Sequence, residues 1–356
     1  MKILILGGTG AMGVPLIEIL KKEGHEIYVT SRKQMTSRDN LHYIQGNAKD
    51  PDFFVSLLNR KYDVIIDFMV YGTDELERRL PEFLSHTDQY CFFSSSRVYA
   101  ESKRPITEDS PRLLDVCTDQ EYLHTDEYAL AKAREEDLLR KSKEKNWTII
   151  RPYITYNDYR LQLGVYEKEN WLYRALQGRT IVLPKDIADR KTSLTYGPDV
   201  AAAIKNLIGN EKAYGQAFHV VNTESLTWGE ILDLYLDIIK KKTGKRSKVK
   251  MIDNSLGLQK VWNPWQIKYD RMYDRVFDSS KIQEVCGTYH YKDIKSGLEE
   301  CLGNFLDNAK WLSFNWRYEA WADRVAGEHA SISEIKGWKT KAGYIKRRYF
   351  RQRKEN

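Results

Sequence analysis

A tyrosine and a lysine four positions apart, Tyr128 and Lys132, are the pair in this sequence that most directly suggests chemistry. On a helix this spacing places both side chains on one face. A free tyrosine phenol titrates near pH 10 and is a poor base at neutral pH, but a neighbouring ammonium favours the phenolate. The pair is therefore predicted to move a proton to and from a substrate oxygen.

Three consecutive serines, Ser94–Ser96, follow an apolar run that is predicted to be a strand. Catalytic groups of open α/β sheets lie beyond the carboxyl ends of the strands, which is where these serines fall. A serine here can hydrogen-bond the reacting oxygen and hold it in line. A second Tyr-x-x-x-Lys segment, Tyr291–Lys295, has no such strand end before it and is predicted to lie on the surface.

A glycine-rich segment joins the first predicted strand to the first predicted helix. Glycines recur there every three residues, and their lack of a side chain lets backbone N–H groups approach a pyrophosphate at the helix N-terminus. This context favours a dinucleotide site over the alternative, a tight turn without a ligand. The predicted cofactor contacts are Gly7, Thr9, Gly10, Ala11, Met12 and Gly13.

The second predicted strand ends in Ser31 and Arg32 rather than in an acidic residue. An acid at this place holds a ribose 2′-hydroxyl and repels a 2′-phosphate, whereas serine and arginine can bind the phosphate. The sequence therefore favours NADP over NAD as the cofactor, with a solvated basic turn as the alternative. Asn47, shortly after the third predicted strand, is included among the predicted cofactor contacts.

The elements that must position these residues alternate between strands and helices over the first 160 residues. This alternation predicts an α/β fold, a Rossmann-type doubly wound parallel sheet, followed by a smaller and mostly helical substrate domain. The predicted domains are 1–160 with returning segments at about 190–222, then 161–310, then a basic aromatic tail at 311–356. Strands are predicted at Lys2–Leu6, Glu26–Thr30, Leu41–Ile44, Asp63–Met69, Gln89–Phe93 and Trp147–Arg151, and helices at Pro15–Lys22, from Asp50, at Asp74–Leu84 and at Asp126–Lys143.

The composition, with 42% hydrophobic and 30% charged residues in 356, is that of a globular protein and excludes a disordered or low-complexity chain. No apolar run approaches the roughly 20 residues of a membrane span. The four cysteines and seven histidines are scattered, so the sequence predicts no metal site and a cytoplasmic location. The absence of a G-x-S-x-G elbow argues against a serine hydrolase.

The net charge of +7 is concentrated in the tail, because residues 335–356 contain nine basic residues and one acidic residue. Among them, Trp338, Ala342, Ile345 and Tyr349 recur at helical spacing. The pattern predicts a helix whose aromatic stripe packs on the body or on a second subunit. The alternatives are contact with an anionic membrane surface, peripheral to the inner membrane face, and, least favoured, with nucleic acid.

Together, the glycine loop, the serine-rich strand end and the tyrosine–lysine helix resemble the extended short-chain dehydrogenase/reductase family, in particular its nucleotide-sugar epimerase/dehydratase group. The resemblance covers roughly residues 1–310 and includes a Ser-x-x-Val-Tyr motif at Ser95–Tyr99. It implies that Ser95, Tyr128 and Lys132 are catalytic, and that the last two also contact the cofactor. It also implies a homodimer that forms through two helices, one of them carrying Tyr128 and Lys132.

Several residues depart from the pattern of that family. Arg97 stands where 4,6-dehydratases commonly have one of a pair of acids, and arginine cannot act as an acid or base at neutral pH, so a 4,6-dehydratase is disfavoured. Ile154 replaces an asparagine that commonly contacts the nucleotide-sugar. Thr192 stands where the family usually has an arginine that contacts the diphosphate. The resemblance implies substrate contacts at Ser96, Tyr153, Arg190 and Lys191.

The implied function is an NAD(P)-dependent enzyme acting on a sugar, with a nucleotide-linked sugar as the expected substrate. An epimerase is the first prediction, because it needs only these three catalytic residues and room for the keto-sugar to turn. A sugar ketoreductase or dehydrogenase uses the same residues and stays open. The alternative of another class is a non-catalytic Rossmann-fold protein that binds RNA or a ligand.

Overall fold

The computed structural model describes residues 1–287 and 289–350. The chain divides into two compact units. The first unit consists of Met1–Tyr156, Ser193–Glu224 and Val276–Lys292, and the second of Asn157–Thr192, Ser225–Arg275 and Asp293–Asn356. Within the described ranges, none of the helices combines the length and the apolar character that a membrane span requires.

The elements are numbered along the chain. The strands are β1 (Lys2–Leu6), β2 (Glu26–Ser31), β3 (Leu41–Gln45), β4 (Tyr62–Asp67), β5 (Thr87–Phe93), β6 (Trp147–Pro152), β7 (Thr155–Tyr156), β8 (Ile181–Pro184), β9 (Lys191–Thr192), β10 (Thr195–Tyr196), β11 (Gln216–Val220), β12 (Leu226–Thr227) and β13 (Val249–Ile252). The helices are α1 (Gly13–Lys22), α2 (Pro51–Leu58), α3 (Thr73–Ser85), α4 (Leu113–Val116), α5 (Gln120–Leu123), α6 (Tyr128–Lys141), α7 (Lys168–Leu176), α8 (Lys185–Ala188), α9 (Gly197–Leu207), α10 (Trp228–Thr243), α11 (Leu256–Gln259), α12 (Pro264–Gln266), α13 (Ser280–Cys286), α14 (Ile294–Asp307), α15 (Trp316–Ala326) and α16 (Trp338–Tyr349).

The first unit is built on a seven-stranded sheet in the order β3-β2-β1-β4-β5-β6-β11, and every neighbouring pair is parallel. The predicted α/β Rossmann-type sheet is thereby confirmed. The strand order reverses between β1 and β4, and open α/β sheets bind ligands at such a switch point, beyond the carboxyl ends of the strands.

Both faces of this sheet are buried, which explains why its strands are continuously apolar. Successive residues of β1 point to opposite sides, so Ile3 and Ile5 join one hydrophobic cluster, whereas Leu4 and Leu6 join another. The first cluster includes residues of α1 and α9, and the second includes residues of α2 and α3. The sheet is therefore held between two helical layers, which fixes the positions of its strand ends.

Among the element boundaries that differ from the sequence prediction, two have clear local causes. The predicted strand Asp63–Met69 ends at Asp67, whose carboxylate accepts the backbone N–H of Met69 as the chain turns away. The predicted helix Asp126–Lys143 begins at Tyr128, because the Glu127 side chain caps it by accepting the N–H of Ala129. By contrast, the predicted start of α2 is confirmed, with Asp50 as its N-cap and proline in the first position.

The second unit is mainly helical, and a buried charge cluster helps to hold it together. The Arg174 guanidinium of α7 donates to Glu319 at 2.8 Å and to Asp323 at 2.7 Å, both on α15. On α16 the buried residue is Tyr344, whose hydroxyl donates to Asp323. The predicted aromatic stripe faces away from this contact, because Trp338 is 74% and Tyr349 is 58% exposed. The prediction that the stripe packs on the body of its own chain is therefore wrong.

Candidate active site

The predicted phosphate loop lies between β1 and α1, next to the switch point of the sheet. Gly7 has φ of +72°, a left-handed conformation that glycine adopts without strain. A Cβ atom on Gly13 would lie 2.4 Å from the carbonyl oxygen of Gly8, so the loop folds back tightly on itself. At Gly10, which is exposed, a Cβ atom would meet nothing within 4 Å. The loop thus presents an open side at the N-terminal end of α1.

This geometry fits a dinucleotide cofactor. A closely packed turn that is open at its tip allows backbone N–H groups to reach a pyrophosphate, and the adjoining ten-residue helix favours the anion. Thr9 is exposed, and Ala11 and Met12 are half-buried in the same turn. Their backbone groups, together with those of Gly10, would hold the pyrophosphate.

The three other predicted cofactor contacts lie at neighbouring strand ends. Ser31 ends β2, is buried, and accepts the backbone N–H of Lys33 at 3.1 Å with its hydroxyl oxygen. Arg32 is exposed, as is Asn47 beyond β3, whose side-chain oxygen accepts the N–H of Lys49. Their hydrogen bonds keep the side-chain oxygens of Ser31 and Asn47 in local turns, whereas the side chain of Arg32 extends into solvent.

Ser95 lies directly beyond β5 and caps a single 3₁₀ turn, where its hydroxyl oxygen accepts the N–H of Arg97 at 3.2 Å. Arg97 links this turn to the start of α6. Its Nη2 donates to Glu127 Oε1 at 2.6 Å, and its Cζ lies 5.3 Å from the centre of the Tyr128 ring. Ser95 and Tyr128 are thereby held in one neighbourhood at the carboxyl end of β5.

Lys132 lies one turn further along α6, and its ammonium lies 4.6 Å from the centre of the Phe92 ring of β5. Its ion-pair partner is Glu135, at 2.8 Å between Nζ and Oε2. Burial raises the pKa of Glu135 to about 7, and that of nearby Asp67, at the end of β4, to about 6. The predicted catalytic lysine is thus surrounded by two buried acids that sequence reasoning missed.

The next residue of α6, Glu136, belongs to a separate buried network. Its carboxylate accepts two hydrogen bonds from Arg151, at 2.7 and 2.6 Å, and one from the Ser94 hydroxyl at 2.6 Å. Arg151 Nη1 also donates to the Tyr99 hydroxyl at 2.8 Å. These bonds join α6 to the ends of β5 and β6, so they fix the backbone that carries Ser95 and Tyr128.

The four predicted substrate contacts fall in different surroundings. Ser96 is fully buried, and its hydroxyl donates to the Arg151 carbonyl oxygen at 2.9 Å, so the structure assigns it to the strand end rather than to a substrate. Tyr153 is buried against Phe277, at 5.4 Å between ring centres, which leaves little surface for a substrate. Arg190 is half-buried and Lys191 exposed, and both belong to the second unit.

The second Tyr-x-x-x-Lys segment lies at the surface only in part. Lys295 is exposed as predicted, whereas Tyr291 is half-buried, and its ring lies 5.0 Å from that of Tyr289. Its phenol oxygen is buried, and burial, the main cause, raises the pKa of Tyr291 above its ordinary value. The segment lies outside the helix that carries the candidate site, and its tyrosine therefore serves as a control for substitution of Tyr128.

The parallel sheet and the glycine loop at its switch point define a Rossmann-type fold, in which the predicted residues Ser95, Tyr128 and Lys132 lie beyond β5 and on α6. A model of the NAD dependent epimerase/dehydratase family matches residues 3–221. Because this match covers more than half of the chain, the protein belongs to that family.

Individual relatives differ in their described roles. The chain is 31% identical over 244 residues to the chloroplast stem-loop binding protein of 41 kDa b of Arabidopsis thaliana. This match covers 64% of this chain and 60% of the relative. It is 24% identical over 312 residues to the 2′-dehydrokanamycin reductase of Streptomyces kanamyceticus, covering 84% and 83%. The chain thus spans only about three fifths of the stem-loop binding relative.

A similar solved structure is the UDP-glucuronic acid 4-epimerase from Bacillus cereus, in complex with UDP-glucuronic acid and NAD. Its TM-score is 0.66 at 15% identity, and the match covers 87% of this chain and all of that one. At this identity the likeness establishes the fold.

Proposed function

We propose that the protein is an NAD(P)-dependent enzyme that acts on a nucleotide-linked sugar, with epimerisation as its reaction. The observation that carries this proposal is the convergence of Ser95, Tyr128 and Lys132 at the carboxyl end of β5, beside the glycine loop. Gly7 adjoins the end of β4, since a Cβ atom there would lie 3.0 Å from Met69 Sδ, and the ring centre of Phe68 lies 4.1 Å from that of Phe93. This chain of contacts connects the loop with the end of β5.

Each residue has a definite role in this proposal. Tyr128 removes the proton of a sugar hydroxyl and returns it, while Ser95 hydrogen-bonds the same oxygen and Lys132 supplies positive charge that favours the phenolate. A bound nicotinamide dinucleotide supplies the hydride acceptor and donor. An epimerase additionally needs only enough room for the oxidised sugar to turn and present its other face to the cofactor. A ketoreductase uses the same residues for a single hydride transfer.

The test compares the parent protein with Tyr128→Phe on a panel of nucleotide sugars, with products separated by ion-exchange chromatography. We expect Tyr128→Phe to lower turnover by orders of magnitude while it still binds cofactor, and Tyr291→Phe to retain turnover. Product that forms without net oxidation or reduction supports an epimerase, and stoichiometric consumption of NADPH by a keto-sugar supports a reductase. Equal turnover in Tyr128→Phe and the parent contradicts the catalytic role of this tyrosine.

We also propose NADP rather than NAD as the cofactor, which is supported by the exposed guanidinium of Arg32 beside Ser31 at the end of β2. A 2′-phosphate at this place would meet a cation and no neighbouring acid on that strand end. The proposal predicts that Arg32→Glu weakens binding of NADPH much more than binding of NADH. Equal weakening of both would contradict it.

A homodimer through α6 is a further proposal, which light scattering after gel filtration tests.

The outward face of α16 supports a contact with an anionic membrane surface. Trp338, Ile345 and Tyr349 form an exposed stripe on the side away from Tyr344, and exposed Lys339 and Lys346 lie beside it. Aromatic and aliphatic side chains flanked by cations suit the boundary between lipid headgroups and acyl chains. Point substitutions are preferable to removal of the tail, because buried Ile335 and Tyr344 help to form the core around α15.

Co-sedimentation with vesicles measures this contact. We expect a Trp338→Ala/Tyr349→Ala double variant to lose binding to vesicles that contain phosphatidylglycerol, whereas Leu312→Ala, which removes another highly exposed apolar side chain, retains it. Equal, negligible binding by the parent and the double variant contradicts the membrane proposal.

The second candidate function is binding of structured RNA, and it is favoured by the 31% identity to a chloroplast stem-loop binding protein. The basic and aromatic residues of α16 are of the types that contact phosphates and stack on bases. This candidate predicts that an RNA stem-loop binds to the parent in a salt-dependent manner and that Tyr128→Phe leaves this binding unchanged. Absence of RNA binding at low salt contradicts it.

A further inference from the structure

The ammonium of Lys132 is directed at a carboxylate that follows it on the same helix. Nζ of Lys132 lies 2.8 Å from Oε2 of Glu135, and the side chains are 1% and 0% exposed, respectively. Charged side chains are rarely buried to this degree unless they are paired. The position of the ammonium is therefore set by Glu135 in this structure.

A second acid adds to the negative charge around this lysine. Asp67 is fully buried at the end of β4, where it accepts hydrogen bonds from the Tyr90 hydroxyl at 2.8 Å and from the N–H of Met69 at 2.9 Å. Its charge acts on both Lys132 and Glu135. The ammonium of Lys132 is thus paired with Glu135 and also interacts electrostatically with Asp67. The other titratable groups that act on this cluster are Tyr71, Tyr90 and Asp126.

The Lys132–Glu135 pair is held by charge and not by well-directed hydrogen bonds. Among the residues that the structure describes, neither carboxylate oxygen of Glu135 nor Nζ of Lys132 has a hydrogen-bond partner of acceptable geometry. Separating this pair loses the Coulomb attraction between two buried charges, so the lysine turns to another acceptor only where that acceptor supplies comparable negative charge. The long, flexible lysine stem permits this turn.

We propose that Glu135 competes with the cofactor for Lys132, so that the ammonium rests on Glu135 in the empty site and turns towards the cofactor when it binds. This inference rests on the proposed function, in which Lys132 contacts the cofactor. Glu135 lies seven residues after Tyr128, two helical turns or about 10 Å along the axis, so the acid that pairs with the ammonium is carried by a different turn of α6 from the phenol. Cofactor binding must therefore overcome an internal ion pair.

The ionisation of Glu135 makes this competition measurable. Because burial raises the pKa of Glu135 to about 7, its carboxylate is mostly ionised at pH 8 and mostly protonated at pH 6. Competition for Lys132 is thus expected at pH 8 and is expected to be weak at pH 6. NADH is a suitable probe, since it has no group that titrates between these two values.

The experiment measures the dissociation constant of NADH by fluorescence titration for the parent, Glu135→Gln and Asp137→Asn. Asp137 is a matched control, because it is a more exposed acid on the same helix that pairs with Arg112. We expect Glu135→Gln to bind NADH about tenfold more tightly than the parent at pH 8 and with nearly equal affinity at pH 6. Asp137→Asn should resemble the parent at both pH values.

Equal or weaker binding by Glu135→Gln at pH 8 overturns the proposal, since Glu135 then supports the binding position of Lys132. If Glu135→Gln does not fold, Lys132→Met replaces it in the experiment. The affinity of Lys132→Met for NADH should no longer differ between pH 6 and pH 8. A difference as large as that of the parent also overturns the proposal. Failure of the proposed function looks different, because then neither the parent nor any variant binds NADH or NADPH.

Discussion

Two consecutive glutamates on α6, Glu135 and Glu136, are both completely buried, yet they are ionised to different extents. Glu136 accepts two hydrogen bonds from the Arg151 guanidinium and one from the Ser94 hydroxyl. Glu135 faces the ammonium of Lys132, a single point charge. Burial would raise the pKa of either group, but Arg151 and Ser94 hold the pKa of Glu136 below its ordinary range, whereas the pKa of Glu135 rises to about 7.

The difference shows that a buried carboxylate stays ionised when the surrounding charges and hydrogen bonds together outweigh the loss of hydration. At Glu136 the charge of the Arg151 guanidinium, its two hydrogen bonds, the Ser94 hydroxyl and the charge of Arg112 do so. At Glu135 the single ammonium of Lys132 does not, and the charge of Asp67 raises the pKa of Glu135 further. The side of α6 that faces Arg151 is therefore a fixed structural support, and the side that faces Lys132 can change its charge near neutral pH.

Removal of the Glu136 charge, on the side of α6 that faces Arg151, should have the largest effect on the free energy of unfolding. Glu136→Gln leaves the Arg151 guanidinium buried without its counter-ion, and removal of one partner of a buried pair costs about 3–5 kcal/mol of the free energy of unfolding. Urea denaturation at pH 7 measures this loss. The control is Asp137→Asn on the same helix, for which we expect a change of at most about 1 kcal/mol. A loss in Glu136→Gln no greater than in the control would show that the bidentate pair is not a main support of α6.

The ionisation of Glu135, on the side of α6 that faces Lys132, should make the free energy of unfolding depend on pH. The folded protein keeps a proton on Glu135 up to about pH 7, whereas the unfolded chain releases it near pH 4.5. The stabilisation that this group contributes is present below the unfolded value and is lost as the pH rises through 7. In Glu135→Gln this contribution is absent, so the decrease in free energy of unfolding between pH 5 and pH 8 should be smaller than in the parent by on the order of 2 kcal/mol.

Urea denaturation of the parent and of Glu135→Gln at both pH values checks this prediction. Asp67 and the other buried acids titrate in both proteins, so their contributions cancel in the difference. The comparison of slopes also remains valid if the substitution changes stability by a constant amount at every pH. Parallel pH profiles for the two proteins would mean that Glu135 is already fully ionised in the folded state.

The sequence was informative wherever a function depends on a short local pattern. The parallel sheet followed from the alternation of strands and helices, and the loop from Gly7 to Gly13 could be placed between a strand and a helix because glycine spacing and position act together. The grouping of Ser95 with Tyr128 followed from the resemblance to the extended short-chain dehydrogenase/reductase family. The first two inferences use interactions within a few residues or the general geometry of sheets.

The acids around Lys132 could not be predicted in the same way. Asp67, at the end of β4, interacts electrostatically with Lys132 of α6, and Arg151 of β6 donates hydrogen bonds to Glu136. Both interactions join residues that are distant in the sequence. A helix with lysine and two glutamates along one face is usually interpreted as solvent-exposed. The available signal was their spacing: Lys132, Glu135, Glu136 and Leu139 occupy the i, i+3, i+4 and i+7 positions that a buried stripe requires. The charges on that stripe implied partners elsewhere in the chain.

The smallest expected effect concerns one hydrogen bond on the fixed side. Ser94→Ala removes the hydroxyl that donates to Glu136 Oε1 at 2.6 Å but leaves both bonds from Arg151 in place. A hydrogen bond to a charged group contributes roughly 1.5–3 kcal/mol, and the remaining bidentate pair places the expected loss at about 1.5 kcal/mol. Ser85→Ala is the control, because its hydroxyl donates to the Glu82 carbonyl at the exposed end of α3. Urea denaturation should separate the two variants by about 1 kcal/mol. If they coincide, the two arginines that pair with Glu136, Arg151 and Arg112, are sufficient to keep it ionised, and the contrast with Glu135 reduces to that between guanidinium groups and an ammonium.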